Sequence, residues 1–399
     1  MRVLRILNRL NIGGPTYNAA YLTKHLVPEF ETMLAAGNLD DGEAESEYIV
    51  TEMGITPRYI KNMHRAIRPL SDWRGYREIR SLIREFRPDI VHTHSSKAGA
   101  LGRLAAAAEG VKAIVHTFHG HTFHSYFGTL KTRFFLAVER YLASQSHAIV
   151  AISPAQKKEL YETYRLCPPD KIVVIPNGFD LSRFAADRTP RRERFRHALS
   201  LADDESAVGI VGRFVPIKNH RLFLEAFSLL KSVYPKTKAV LIGGGADMQS
   251  VVSFARQLGL RVRSVDYEAG FSPPPPDYDV IFVHWIKKIE NALPGLDLVA
   301  LSSLNEGTPA SLIEAQAAGV AVVSTRVGGV EDCVAPGFRP YLTPSGDASA
   351  LARSMRLLVE DANLRKALAA EGEEFVKRIF SYERLATDVA NLYRRLLSR

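Results

Sequence analysis

Two carboxylates eight residues apart, Glu306 and Glu314, flank the segment Gly307-Thr308-Pro309. Gly307 lets the backbone approach a ligand closely. Pro309 suits the first turn of a helix, where its missing N–H costs nothing. The free amides of that turn, around Ser311 and Leu312, favour an anion. A ligand carrying both hydroxyls and a diphosphate matches this pattern, because the carboxylates accept from hydroxyls and the amides donate to phosphate. Arg213 and Lys218 share a second loop. One is a planar fork and the other a point charge, and such a pair can hold a departing diphosphate. Gly13 and Gly14 form a third phosphate-approach element, for which a plain tight turn is the alternative. Histidines fall in two His-x-His strings, His92/His94 and His119/His121. Imidazoles of this kind hydrogen-bond sugars and phosphates, or hold a metal when acidic or cysteine ligands accompany them, which here they do not.

The elements that must position these residues read as repeated strand, loop and helix. Leu298–Leu301 is an apolar strand that runs into the Glu306 loop, and Ala310 to Ala318 is the helix after it, stopped at Gly319. Val3 to Leu7 is a strand, followed by the glycine pair and a helix from Tyr17 to Leu26. Asp89–His92 and Ala113–Phe118 are strands that end in the histidine strings. Gly209–Val211 precedes Arg213 and Lys218, with a helix from Leu222 to Leu230 behind them. Strands alternating with helices predict α/β architecture with parallel sheets, whose ligands bind at the carboxyl ends of the strands. The segment Arg58 to Arg87 reads as a basic helix with Trp73, Tyr76, Ile79, Ile83 and Phe86 at helical spacing. It is either a solvated helix with a core face or an amphipathic surface for anionic lipid. Arg188 to Arg196 reads as a solvated basic helix in preference to a nucleic-acid patch, because Phe195 is its only aromatic residue.

The chain of 399 residues predicts two or three domains. Its 46% hydrophobic and 24% charged residues are ordinary for a globular protein. Cys167 and Cys333 form no paired motif, so neither a disulfide framework nor a cysteine zinc site is expected, and a reducing cytoplasm fits. Arginines interrupt the N-terminal run too often for a signal peptide, and no run reaches the ~20 apolar residues of a membrane span. A net charge of +9 points to an anionic partner.

Glu306-Gly307-Thr308-Pro309 followed by Glu314 resembles the signature of the retaining glycosyltransferases of family 4. Gly212-Arg213-Phe214 with Lys218-Asn219-His220 resembles that family's phosphate clamp, and His119-Gly120 its His-Gly element. The resemblance covers nearly the whole chain and weakens over residues 261–287, where Pro273 to Pro276 interrupt it. It implies a GT-B architecture, two Rossmann-like doubly wound domains facing each other across a cleft. The divisions expected are residues 1–178 on the acceptor side, 179–380 on the donor side, and a helix over 381–399 that crosses back. It implies sugar transfer from a nucleotide sugar, a UDP-sugar by the family's habit, with retention of configuration. The acceptor implied is a glycan or a lipid-linked glycan of bacterial cell-surface polysaccharide assembly. His119, Arg213, Lys218 and Glu306 would be the catalytic residues, with His121 a rival for the place of His119. Gly13, Gly14, Arg213, Lys218, Glu306, Gly307, Thr308, Pro309, Ser311, Leu312 and Glu314 would bind the donor, with Glu314 accepting from ribose hydroxyls. No cofactor, no metal and no nucleic acid are implied. Peripheral contact with an anionic membrane at the inner face is the remaining partner expectation. A nucleotide-sugar epimerase on the same fold and a non-catalytic nucleotide-sugar-binding protein are the alternatives. Asp277 and Asp279 spell the Asp-x-Asp string that binds manganese in a different glycosyltransferase fold, but their proline-rich lead-in is wrong for that site.

Overall fold

The structure is a computed structural model that describes residues 1–11, 14–39, 47–119, 129–268 and 275–398. Gly13 and His121 therefore lie outside the described residues, as do Pro273 and Pro274. The chain divides into two compact units, Met1–Phe179 with Ile379–Arg399, and Asp180–Arg378.

The first unit carries seven strands: β1 (Arg2–Leu7), β2 (Glu31–Gly37), β3 (Arg58–Ile60), β4 (Ile90–His94), β5 (Ala113–Phe118), β6 (Ala148–Ala151) and β7 (Ile172–Val174). They form one sheet in the order β3-β2-β1-β4-β5-β6-β7. Every pairing is parallel. The strands β4, β5 and β6 are buried along their whole length, as expected for a sheet covered by helices on both faces. The last helix, Tyr382–Leu397, belongs to this unit. Its Leu385, Val389, Leu392 and Tyr393 join the core of Val3, Leu22, Phe30 and Val115. The chain enters that helix through paired bonds, Phe179 N to Phe380 O at 2.8 Å and Tyr382 N to Phe179 O at 3.1 Å. Gly178 is required there, because a Cβ would come within 2.8 Å of Tyr382 Cα.

The second unit repeats the plan with β8 (Ser206–Val211), β9 (Thr237–Ile242), β10 (Val262–Val265), β11 (Val280–Val283), β12 (Leu298–Leu301), β13 (Ala321–Thr325) and β14 (Leu342–Thr343). The order is β10-β11-β9-β8-β12-β13-β14, again all parallel. The order reverses between β8 and β12, so the loops after those two strands flank the position where open α/β sheets bind ligands. Those are the loops of Arg213/Lys218 and of Glu306. In the first unit the reversal falls between β1 and β4.

Two sequence expectations are corrected. The Arg58–Arg87 segment is not one helix. Arg58–Ile60 pairs as an edge strand, and the helix runs from Pro69 to Phe86, after an extended Arg68. Proline disfavours the helical region for the residue before it, so the helix starts where Pro69 allows. Nor is Arg188–Arg196 solvated throughout. It lies in a helix, Arg188–Ala198, where Arg194 is exposed but Arg188, Arg191, Arg192 and Arg196 bond to the protein. Arg192 Nη2 donates to Asp297 at 2.8 Å, buried Arg196 reaches Asp297 and the Glu205 carbonyl, and Arg188 reaches Glu373 and the Ala317 carbonyl. The guanidinium forks satisfy carbonyls of an irregular segment that has no ladder partner of its own.

Candidate functional site

The second unit assembles a candidate site by tying two βα loops together. Ser302 Oγ donates to Lys218 O and Asn219 O at 3.0 and 2.9 Å, and Leu304 N donates to Ile217 O at 2.8 Å. Behind the first loop, Phe214 N donates to Gly244 O at 2.9 Å, and Gly243 and Gly245 pass so close that a Cβ on either would strike the backbone of Gly212 or Phe214. Behind the second, Gly329 N donates to Glu306 O at 2.9 Å, and Gly328, at φ +49°, leaves no room for a Cβ against the same carbonyl. Both loops are therefore held by backbone and by the Ser302 hydroxyl, a framework that does not use the side chains of Arg213, Lys218 and Glu306.

The structure brings Lys218 and Glu306 into direct contact, 2.5 Å between Nζ and Oε1. Ser303 Oγ also donates to Glu306 Oε1 at 2.6 Å. Arg213 stands exposed on the same loop as Lys218 and takes no partner among the described residues. The helix after Glu306 is Ala310–Ala317, with Pro309 as its N-cap residue. Leu312 is buried and turns its N–H back to Pro309 O at 3.2 Å, so it is not an open donor. The amides of Ala310 and Ser311 take no acceptor among the described residues and are the open donors of that turn. The Thr308 hydroxyl oxygen is buried without a partner among the described residues. Gly307 is exposed.

Glu314 lies on that helix with its side chain 17% exposed and Arg183 Nη2 at 3.4 Å. Burial pushes its carboxyl up to about 7; Arg183 opposes the shift and Glu290 adds to it. Arg183 also faces Glu290 at 3.8 Å. Sequence reasoning missed Arg183. It follows the turn at Asn177-Gly178-Phe179-Asp180, but nothing in its neighbours marks it as the partner of a carboxylate 131 residues away.

In the first unit the polar residues gather at the carboxyl ends of β1, β4 and β5. His119 follows β5, and its Nε2 lies 2.9 Å from His94 Nδ1. Burial pushes the His119 imidazole down to about 4, with Asn177 acting in the opposite sense. Asn177 accepts from Asn18 Nδ2 at 3.1 Å, and a Cβ on Gly14 would lie 3.9 Å from Asn177 Nδ2. Gly14 opens the helix Gly14–His25. Buried oxygens of Asn8 and Asn18 and the His119 Nδ1 atom have no hydrogen-bond partner among the described residues. Buried polar atoms are nearly always satisfied, so this cluster marks a place for a polar ligand.

The Asp-x-Asp reading does not survive the geometry. Asp279 is buried against Arg261, with two bonds of 3.0 Å, and lies 3.1 Å from Lys231; these partners hold its carboxyl well below the usual range despite burial. Asp277 is paired with the same arginine. Among the described residues no group of three or more His, Cys, Asp or Glu side chains is arranged to hold a metal ion.

Two parallel seven-stranded sheets, each wound with helices, are the fold of the GT-B glycosyltransferases. Residues 12–183 match the model of Glycosyltransferase Family 4, and residues 205–361 that of Glycosyl transferases group 1. The chain thus carries a match to a family 4 glycosyltransferase domain followed by a match to a group 1 glycosyl transferase domain. It is 27% identical over 347 residues, 83% of each chain, to the UDP-Gal:alpha-D-GlcNAc-diphosphoundecaprenol alpha-1,3-galactosyltransferase of Escherichia coli. It is 24% identical to the capsular polysaccharide biosynthesis glycosyltransferase CapM of Staphylococcus aureus, over 84% of each chain. The fold matches that of Anabaena HepE, solved in complex with UDP, with a TM-score of 0.80 at 19% identity over 99% of this chain and 100% of that one.

Proposed function

We propose that this glycosyltransferase transfers a sugar from a UDP-sugar to a glycan or lipid-linked acceptor, with retention of configuration and without a metal. The observation that carries the reading is the joining of the two loops at the β8/β12 reversal, with Arg213, Lys218, Glu306 and the open amides of Ala310 and Ser311 all presented from them. Arg213, Lys218 and those amides supply positive field to the departing diphosphate, where a metal would otherwise serve. Glu306 and the amides of Gly307 and Thr308 take the sugar hydroxyls. A diphosphate competes with Glu306 for the Lys218 ammonium, and a sugar hydroxyl donating to Glu306 replaces what that ammonium gave it. The bond from the anomeric carbon to the diphosphate oxygen breaks, the acceptor oxygen bonds on the same face, and its proton passes to the diphosphate. The names of the E. coli relative, which uses UDP-Gal, and of HepE, solved with UDP, support the choice of nucleotide. The test is turnover of a UDP-sugar panel in EDTA, with the anomeric configuration of the product read by NMR. Retained configuration and undiminished rate are expected. Inversion, or loss of activity restored only by manganese, overturns the reading, and isomerised donor without acceptor selects the epimerase.

A peripheral, cytoplasmic contact with anionic membrane belongs to the same proposal. No helix among the described residues is long and apolar enough to cross a membrane. Arg80 and Arg84 are tied to Glu109, so the far half of the Pro69–Phe86 helix keeps little open charge. The near half differs. Ile67, Leu70 and Trp73 are 68%, 77% and 56% exposed, and Arg77 stacks on Trp73 at 4.9 Å. Exposed Arg65, Arg68 and Arg74 surround them. Aliphatic and indole surface among arginines suits the headgroup region, where each basic residue contributes about 1 kcal/mol. Trp73→Ala combined with Arg68, Arg74 and Arg77→Ser is expected to abolish co-sedimentation with anionic vesicles at low salt and to leave UDP affinity unchanged. Equal binding of the native protein to neutral vesicles would remove the electrostatic part.

A further inference from the structure

Arg5 of β1 is fully buried (0% exposed), and no carboxylate pairs with it among the described residues. Its Nη1 lies 3.1 Å from His92 Nδ1 and 3.3 Å from His94 Nε2, while Nε and Nη2 have no partner among the described residues. A buried cation met by imidazoles and the Tyr393 hydroxyl, with no carboxylate among the described residues, is costly and calls for a role.

The donor inventory settles the protons along this row. A guanidinium only donates, so His94 Nε2 accepts from Arg5 and carries no proton. Burial holds His94 neutral, reinforced by His92, His119, Arg5 and His116. Its single proton is therefore on Nδ1, which donates to His119 Nε2 across 2.9 Å. The His119 ring, neutral at physiological pH, must then carry its proton on Nδ1. That nitrogen makes no hydrogen bond of ordinary geometry among the described residues, although the Asn177 side chain lies close enough to act on the ring. The two rings lie nearly parallel, 26° apart.

We propose that Arg5 and His94 are positioning residues that fix His119 as its Nδ1–H tautomer and polarise it as a neutral hydrogen-bond donor to an oxygen of the bound sugar. This rests on the proposed sugar transfer and on His119 as the catalytic residue that the family resemblance implies, taken here to meet the donor sugar. The role is one of donation, since the ring neither takes nor gives up a proton in the transfer. A cation at the head of a row of two imidazoles draws electron density from each and strengthens the last N–H in a dry site. His92, fixed by Thr117 and Tyr393 at 2.7 and 2.6 Å, stacks on His94 and holds the row in place.

The test is the imidazole nitrogen NMR spectrum of histidine-labelled protein, with His119 assigned through His119→Asn. Native protein is expected to show His119 protonated at Nδ1 and unprotonated at Nε2 at pH 7.5. His94→Leu is expected to release His119 toward the Nε2–H form and to lower kcat about 10- to 100-fold, in line with other residues that orient functional imidazoles, with donor KM nearly unchanged. His94→Gln accepts from Arg5 and donates to His119, so it should restore both readouts. His119 protonated at Nε2 in native protein overturns the proposal, as does an unchanged tautomer in His94→Leu. If that variant fails to fold, the native spectrum and His94→Gln decide. A correct tautomer with full turnover in His119→Ala would instead refute the sugar-facing role of His119.

Discussion

Arg213→Ala is expected to lower kcat by about a hundredfold to a thousandfold and to leave the thermal midpoint unchanged. Arg213 is exposed and holds no partner among the described residues, so its removal exposes no buried charge and opens no cavity. Its whole contribution falls on the charge that grows on the departing diphosphate, where a positioned fork is worth most. Lys218→Ala should lose rate to a similar degree and also lose stability. Lys218 and Glu306 are 19% and 11% exposed, and without the ammonium Glu306 keeps only Ser303 among the described residues. Breaking a half-buried pair of this kind costs about 1–2 kcal/mol, less than a fully buried one. Steady-state kinetics and thermal denaturation of the two variants separate the effects. A stability loss in Arg213→Ala as large as in Lys218→Ala would show that Arg213 serves the fold, and unchanged kcat in both would remove the diphosphate role.

The strand–loop–helix around Glu306 is legible in the sequence because its signals are local. An apolar run, a glycine and a proline at the helix start each act within a few residues. The phosphate loop at Arg213 is legible for the same reason. What brings Lys218 onto Glu306 is not local: β12 lies beside β8 because the sheet order reverses there, and the intervening strands pair on the other side. Charge likewise shows in a sequence without its partners. Arg192 and Arg196 of the Arg188–Ala198 helix look solvated until Asp297 and the carbonyls near it are placed. The boundary at Pro69 was readable from the proline rule, but the three-residue strand before it is too short and too charged for periodicity to mark. The Arg5 row depends on residues on adjacent strands meeting across one sheet, which register alone decides.

Glu314 carries the second large effect, and its protonation makes the effect measurable in two ways. Burial lifts the carboxyl from its ordinary 4.5 to about 7. A group whose folded pKa is raised gives its stabilisation in full below the unfolded pKa and loses it as pH climbs through the folded one. Ionised Glu314 thus costs the folded protein up to about 3 kcal/mol above pH 7 and nothing near pH 4. Glu314→Gln keeps the contact to Arg183 without the charge. It should raise the thermal midpoint at pH 8 and scarcely move it at pH 5. Ribose hydroxyls donate best to the ionised form, so UDP binding should drive the proton off. At pH 6.5, titration calorimetry in phosphate and in imidazole should therefore give different heats, the difference reporting net proton release. The variant should release none and bind UDP more weakly by about 1.5–3 kcal/mol, the worth of hydrogen bonds to a charged acceptor. Identical heats in the two buffers, with native affinity in Glu314→Gln, would leave Glu314 a buried partner of Arg183 with no hand on the nucleotide.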